Sequence, residues 1–284
     1  MSEDGTANAR AMSWVNGHAS DQIACVDRGL HYGDGLFETI SCIDGRPRWL
    51  EWHLRRLRRG CERLGIGFHD FEALGSEIAV RAEGSGRCIL KLILTRGIAS
   101  RRGYRPTGDE TPTRIVSRHA WPADPATSAG ATADFPVAVS GVRLGINPQL
   151  AGLKHLNRLE QVLAQQELRG TTREEALMLS SNGQLIGGSM SNVFLADEAG
   201  LSTPSLEECG VAGVMREVVC AAAARHGTPV RVRRIEAAEL KLAREAFVTN
   251  VRWGVRSISE LAGRTLDSRT HAQLARNWID ATRG

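Results

Sequence analysis

The first part of the chain contains short, β-rich apolar stretches separated by turns, which are typical of strands, and two further stretches with apolar residues at the helical period. Strands are predicted at 36–43 and 88–95, which are rich in Ile, Leu and Cys. Helices are predicted at 51–64, where apolar side chains recur every three or four positions, and around 71–78. The Asp-Gly pair at 44–45 is typical of a hairpin turn. This part is therefore predicted to be a sheet with two helices.

The second part also mixes predicted strands with predicted helices, and a segment rich in Pro, Ala and other small residues separates it from the first part. Its predicted elements are strands at 137–142, 176–179, 192–196, 230–235 and 245–249, and helices at 156–168 and 213–225. We therefore expect a disordered tail at 1–12, an N-terminal α+β domain at 13–120, a linker at 121–133 and a C-terminal α/β domain at 134–284.

Composition and charge exclude several classes of protein. The net charge is only +4 over 284 residues, and the arginines are dispersed, so no nucleic-acid surface is predicted, whereas a small anionic substrate suits this balance. No apolar run approaches the roughly 18 to 20 residues that span a bilayer, and the polar, acidic start is unlike a signal peptide. The six cysteines form no CxxC pair and no metal-ligand spacing. A cytoplasmic protein with reduced thiols, without a membrane segment or a metal, is expected.

Lysine is scarce in this chain and occurs only at Lys91, Lys154 and Lys241, whereas arginine is frequent. An arginine stays protonated near neutral pH, but a lysine amine can lose its proton and react covalently with a carbonyl group. Lys91 lies in a predicted strand and Lys241 on a charged helical face, where solvated roles are expected. Lys154 lies between apolar residues, in a glycine-containing loop that enters a helix. It is the candidate catalytic amine.

The segment around Lys154, VRLGINPQLAGLKHLNRLEQVLAQQEL, resembles the cofactor-binding lysine segment of the 4-amino-4-deoxychorismate lyases. These are members of the fold-type IV, class IV aminotransferase-like, family of pyridoxal-phosphate enzymes. Residues 27–39, DRGLHYGDGLFET, resemble the family's opening motif DRG…YGDGxFET, and residues 53–57 fit its HxxRL helix. Segments at 191–194, 210–216 and 247–250 match later family motifs. The similarity extends over roughly residues 13 to 260.

This resemblance implies a fold, a cofactor and a reaction. The implied fold is the two-domain α+β or α/β fold of type IV, as in D-amino-acid and branched-chain aminotransferases, and the implied assembly is a homodimer. The implied reaction is the pyridoxal 5'-phosphate-dependent cleavage of 4-amino-4-deoxychorismate to 4-aminobenzoate, a folate precursor, and pyruvate. One alternative is a class IV aminotransferase acting on branched-chain amino acids, D-amino acids or amines. Another is a catalytically weakened homologue that serves as a binding subunit.

The resemblance also implies roles for individual residues. Lys154 would hold the cofactor and act as the base, and Thr39 would assist proton transfer, although a threonine in a strand is equally compatible with a purely structural role. Phosphate ligands are expected from an arginine fork, a helix start and a strand end. These ligands are Arg56, Gly213, Val214, Thr249 and Asn250. The loop containing Arg102, Tyr104 and Arg105 resembles the family's RGxxxRGY loop and would face the substrate carboxylates, the alternative being a solvated basic loop.

One position departs from the family pattern. Family members carry a glutamate five residues before the Asn of the following strand, where it faces the pyridine nitrogen of the cofactor. This chain has Gly187 there, five residues before Asn192, and no acid is adjacent in sequence. A carboxylate at this place favours the protonated ring, which is the stronger electron sink. We therefore expect a weaker electron sink, which a lyase tolerates better than a transaminase because its product ring becomes aromatic.

Overall fold

The computed structural model describes residues 12–84, 86–122 and 135–281, and the chain divides into two compact units, residues 1–122 and 123–284. The division falls inside the segment predicted to be a linker. The predicted tail, apart from Met12, and the predicted linker, apart from residues 121–122, lie outside the described residues. Each described unit mixes helices with sheet, as the hydrophobic pattern predicted.

Unit 1 is built on a six-stranded antiparallel sheet with the spatial order β2-β1-β6-β5-β3-β4. Its strands are β1 (Met12–Val15), β2 (His18–Ala19), β3 (Gly35–Ile43), β4 (Arg46–Pro47), β5 (Arg87–Ile98) and β6 (Thr111–Ala120). Its helices are α1 (Arg28–Tyr32), α2 (Leu50–Leu64) and α3 (Phe71–Ala82). The predicted strands at 36–43 and 88–95 and both predicted helices are confirmed.

The core of unit 1 forms where α2 and α3 meet the sheet. Leu57 and Cys61 of α2 and Ile78 of α3 pack in one cluster with the strand residues Ile40 and Leu90, all less than 3% exposed. Burying such side chains stabilises the fold by about 1.5 to 3 kcal/mol each. The same face of α2 also buries His53 and Arg56, which the apolar pattern does not explain. These two polar residues belong to the candidate site.

Unit 2 contains a three-stranded sheet, β7-β8-β9, a five-stranded sheet, β12-β11-β10-β13-β14, and a short hairpin of β15 and β16. The strands are β7 (Val137–Leu144), β8 (Glu175–Ser180), β9 (Leu185–Gly188), β10 (Asn192–Asp197), β11 (Gly200–Pro204), β12 (Arg231–Arg233), β13 (Glu245–Asn250), β14 (Gly254–Ser257), β15 (Glu260–Leu261) and β16 (Arg264–Thr265). The helices are α4 (Leu159–Gln166), α5 (Val214–Arg225) and α6 (Thr270–Ala281), with a 3-10 turn at Ala237–Lys241.

Two predicted elements of unit 2 are longer than the observed ones. The predicted helix at 156–168 is confirmed only over α4, because the side chain of Arg158 donates to the backbone carbonyls of Leu153 and His155 and holds the preceding residues in a loop. The predicted strand at 230–235 is reduced to β12. The predicted helix at 213–225 is α5, with Gly213 as its N-cap. Among the described helices, none is long and apolar enough to cross a membrane.

Candidate active site

The loop that carries Lys154 is tied by backbone hydrogen bonds to the segment that leads into α5. The amide of Asn147 donates to the carbonyl of Glu208 at 2.9 Å. Gly152 donates to Gly210 at 2.9 Å and accepts from Ala212 at 3.1 Å. Lys154 itself is half-buried. Because this pairing ends at Ala212 and α5 begins at residue 214, the lysine loop and the start of α5 form one local structure.

The start of α5 is shaped by Asn192 and Gly213. Asn192 donates from Nδ2 to the carbonyl of Val211 at 2.9 Å, and a Cβ placed on Gly213 would lie 2.0 Å from the Asn192 Oδ1 atom. Any larger residue at position 213 would therefore displace the Asn192 side chain. Gly213, the N-cap residue, has no side chain to cap this helix, so the first N–H groups of α5 form the kind of helix start that binds a phosphate.

Thr249 and Asn250 lie at the end of β13, where Thr249 pairs in register with Asn192 of β10. The Thr249 hydroxyl donates to the carbonyl of Gly254 at 2.7 Å. The Asn250 Oδ1 atom accepts from the amides of Arg252 and Trp253. Both side chains therefore stabilise the turn between β13 and β14, and the pairing with Asn192 brings this strand end to the sheet edge at which α5 begins. Their role as phosphate ligands stays a prediction.

Gly187 and Gly188 end β9, and a strand directs successive side chains to opposite faces. A Cβ on Gly188 would lie 2.6 Å from Oε2 of Glu175, which begins β8. A Cβ on Gly187 would instead meet the Ser191 carbonyl at 3.0 Å. The Glu175 carboxylate therefore lies on the face opposite to the one that a side chain at position 187 would occupy. It does not replace the family's glutamate.

Glu175 instead fixes the turn that connects β9 to β10. Its carboxylate is fully buried and accepts hydrogen bonds from the Met190 amide at 3.2 Å, the Ser191 hydroxyl at 2.7 Å and both the amide and the hydroxyl of Ser189. Burial raises its pKa, although these donors oppose the change. The sequence patterns did not single out this residue. A glutamate at the start of an otherwise apolar strand is the signal that could have found it.

A second missed group lies next to Lys154. Arg158 donates from Nε to the His155 carbonyl at 2.8 Å and from Nη2 to the Leu153 carbonyl at 3.3 Å, so it holds the backbone on both sides of the lysine. Burial lowers the pKa of Arg158 to about 10. Burial and the charge of Arg158 lower the pKa of His155 to about 4, so this imidazole is neutral at neutral pH.

In unit 1, the predicted phosphate arginine is held by a buried carboxylate. Arg56 donates from Nε to Oε1 of Glu38 at 2.8 Å and from Nη2 to Oε2, and His53 Nδ1 lies 2.6 Å from the same Oε2. Burial alone would raise the pKa of Glu38, but the charge and hydrogen bonds of Arg56, together with His53, lower it to about 2. The neighbouring Arg55 is exposed and lies over the Trp52 ring. Arg56 is thus the inward arginine of the motif, and its binding of phosphate stays a prediction.

The remaining predicted residues of unit 1 lie on β3 and in the loop after β5. Thr39 is half-buried, next to Glu38 on the strand and therefore on its other face. Arg102, Tyr104 and Arg105 are exposed, and the Tyr104 side chain is 83% exposed. The predicted residues are thus divided between unit 1 and unit 2, and unit 2 contains Lys154, Gly187, Gly213, Val214, Thr249 and Asn250.

Comparisons with known proteins show the family of this chain. The family model of amino-transferase class IV matches residues 35–261. The chain belongs to this class IV family. An aminodeoxychorismate lyase of Vibrio harveyi is 34% identical over 254 residues, which cover 88% of this chain and 92% of the relative. A putative branched-chain-amino-acid aminotransferase of Methanocaldococcus jannaschii is 26% identical, with 93% of this chain and 92% of that protein covered.

Solved structures of the class IV fold superpose on this chain over most of its length. The crystal structure of 4-amino-4-deoxychorismate lyase from Pseudomonas aeruginosa superposes with a TM-score of 0.86 at 39% identity, over 95% of this chain and 97% of that one. The branched-chain aminotransferase of Escherichia coli superposes with a TM-score of 0.82 at 20% identity, over 96% and 95% of the two chains. The second likeness concerns the fold alone. The predicted type IV fold and the predicted family are thereby confirmed.

Proposed function

We propose that this class IV chain is a pyridoxal 5'-phosphate-dependent lyase that converts 4-amino-4-deoxychorismate to 4-aminobenzoate and pyruvate. The observation that carries the proposal is the attachment of the Lys154 loop to the start of α5. It places an amine and an uncapped helix start in one local structure, which are the two groups that hold an aldehyde and a phosphate. Relatives named as aminodeoxychorismate lyases, at 34% and 27% identity, support the substrate.

The donor set of unit 2 fits this cofactor. Lys154 would hold its aldehyde, and the first backbone N–H groups of α5, at Gly213 and Val214, would hold its phosphate. Thr249 and Asn250 lie at the neighbouring strand end, next to Asn192. When bound, pyridoxal phosphate draws electrons from the carbon that bears the substrate amine.

The reaction needs one proton removed and one proton returned. The Lys154 ε-amine removes the proton from the amine-bearing ring carbon, and the neighbouring carbon–oxygen bond breaks, so that enolpyruvate leaves and the ring becomes aromatic. The proton is then returned to the methylene carbon of enolpyruvate, which gives pyruvate. We assign this return to Lys154 or to water, with assistance from Thr39 as a further part of the proposal. Arg158 keeps the backbone of Lys154 fixed during both steps.

Lysine mapping tests the proposed attachment directly. The purified protein should show an absorbance band of lysine-bound cofactor. Borohydride reduction should attach the cofactor permanently, as a label, to Lys154. The chain offers two matched controls, since Lys91→Ala and Lys241→Ala should leave both the band and the label unchanged. Label on either of these two lysines, or a band that persists in Lys154→Ala, would contradict the proposal.

The similarity to a putative branched-chain aminotransferase makes a transaminase the second candidate. The two activities are separated by incubating the protein either with an amino donor and 2-oxoglutarate or with 4-amino-4-deoxychorismate. A lyase releases pyruvate from the second substrate and forms the pyridoxamine form slowly with the first. Rapid formation of the pyridoxamine form without pyruvate release would favour the transaminase. Absence of cofactor binding would favour a binding subunit.

Gly187 is proposed to weaken the electron sink without abolishing the lyase reaction. No carboxylate is adjacent in sequence, and that of Glu175 lies on the other face of β9. Gly187→Glu would restore a carboxylate at the family's position. A fall in lyase turnover with unchanged cofactor affinity would mean that the site is adapted to glycine, whereas a rise would mean that the wild-type sink limits the rate.

We also propose that the protein is a cytoplasmic homodimer acting on a small anionic substrate. The resemblance to fold-type IV enzymes supports the dimer, and helix α4 exposes three apolar side chains that a second copy would cover, namely those of Leu159, Val162 and Leu163. Light scattering coupled to size-exclusion chromatography measures the mass directly. A mass equal to the 30.8 kDa chain at micromolar concentration would contradict the dimer.

A further inference from the structure

A buried arginine holds the backbone of the loop that the sequence predicts to face substrate. Arg28, at the start of α1, is 4% exposed. It donates from Nη1 to the Gly103 carbonyl at 2.9 Å and from Nη2 to the Tyr104 carbonyl at 2.8 Å, across 75 and 76 residues of sequence. Two adjacent carbonyls on one guanidinium make a fork that fixes both position and orientation.

The guanidinium of Arg28 is itself oriented by Asp34. The Asp34 Oδ2 atom accepts from the Nε of Arg28 at 2.9 Å and from the Nε of Arg96 at 2.8 Å. Arg96 then donates to the carbonyls of Leu64 and Gly65 at the end of α2, at 2.7 and 2.5 Å. These carbonyls lie at the negative end of the helix dipole, which favours the second cation. The loop is therefore connected through Asp34 to a rigid helix.

The side chains of the anchored loop, unlike its backbone carbonyls, are exposed to solvent. Tyr104 is 83% exposed, and Arg102 and Arg105 are exposed as well. The ring of Tyr104 contacts the ring of Tyr32, with centroids 5.1 Å apart, and the Arg28 guanidinium carbon lies 5.0 Å from the Tyr32 centroid. A fixed backbone that presents an aromatic ring and two cations is an arrangement suited to binding a carboxylate-bearing ring.

We propose that Arg28 is a specificity-positioning residue, which sets the place at which Tyr104, Arg102 and Arg105 meet the carboxylates of the substrate. Asp34 contributes by orienting Arg28. The proposal rests on the proposed function, because the lyase substrate supplies the carboxylates. The Arg28 guanidinium is bonded to the loop backbone and to Asp34, so its loss should act through the loop, on the KM for substrate more than on kcat.

The chain contains only two tyrosines, which makes the loop directly observable. Protein labelled with 3-fluorotyrosine should give two fluorine NMR resonances, from Tyr32 and Tyr104, and Tyr32→Phe assigns them. In Arg28→Lys, which cannot form the two-carbonyl fork, both resonances should move, because the two rings lose their fixed contact. Arg118→Lys is the matched control, since Arg118 also donates to two carbonyls of unit 1, those of Arg81 and Glu83, and it should leave both resonances unchanged.

Kinetics then test the specificity role. Arg28→Lys should raise the KM about tenfold and change kcat less than about threefold. Tyr104→Ala, which removes an exposed side chain, should raise the KM comparably, and the double variant should add little to either single change because both act through one loop. Additive effects on KM, or an unchanged KM with moved resonances, would overturn the proposal. Unmoved resonances in Arg28→Lys would also overturn it. A wild-type protein without lyase activity would refute the proposed function instead, while the fluorine spectra would still measure the anchor.

Discussion

The buried pair of Glu38 and Arg56 gives the sharpest quantitative prediction. Glu38 is fully buried and Arg56 is 8% exposed, and two hydrogen bonds join them. The pKa of Glu38 falls from 4.5 to about 2, because the attraction of Arg56 and His53 outweighs the cost of burial. Replacing Glu38 by Gln keeps the shape of the side chain but removes its charge, and Arg56 loses the carboxylate that holds it.

The magnitude follows from linkage between protonation and folding. At about 1.4 kcal/mol per pH unit, the difference between 4.5 and about 2 corresponds to on the order of 3 kcal/mol of unfolding free energy at neutral pH. Since the folded pKa lies below the unfolded one, this stabilisation is complete above pH 4.5 and is lost as the pH falls toward 2. At about pH 3, less than half of it remains.

Urea denaturation followed by circular dichroism measures the effect. Glu38→Gln should lower the unfolding free energy by about 3 kcal/mol at neutral pH, and by much less at about pH 3. The control is Asp197→Asn, which weakens the solvent-accessible pairs of Asp197 with Arg231 and Arg233, and the loss should stay below about 1 kcal/mol. A loss below about 1 kcal/mol for Glu38→Gln at neutral pH, or an equal loss at both pH values, would refute the reasoning.

Three further outcomes are expected. The pKa of His155 is lowered to about 4, so the protein should lose folding stability as the pH falls from 6.5 to 4 and should lose none through this group above pH 6.5. His155→Gln should flatten this dependence on pH. An NMR titration midpoint of His155 near 6.5 would disprove the prediction. Gly188→Ala should cost about 1 to 3 kcal/mol, because its Cβ would lie 2.6 Å from Glu175, whereas Gly67→Ala, with open space around it, should be nearly neutral in thermal melts. Arg158→Met should reduce borohydride labelling of Lys154 by releasing the backbone on both sides of it, and labelling at the wild-type rate would argue against this role.

Local patterns in the sequence were sufficient to predict most of the helices and strands. The apolar stripe at 51–64 predicted α2, and short β-rich apolar stretches predicted β3, β5 and β13, because both patterns are set by neighbouring residues. The scarcity of lysine and the family resemblance together selected Lys154. The ends of α4 were predicted less well, since they depend on the side-chain hydrogen bonds of Arg158.

By itself, the sequence determined the family and the order of the elements, and it predicted the amine on which the proposed chemistry depends. Only the tertiary structure decided which polar groups meet: Glu38 holds Arg56, and Arg28 holds the loop of Tyr104. It also decided that the Glu175 carboxylate lies on the far face of β9 from position 187. The physical reason is that periodicity is a local property, whereas the partner of a buried charge is chosen by packing between residues far apart in the chain.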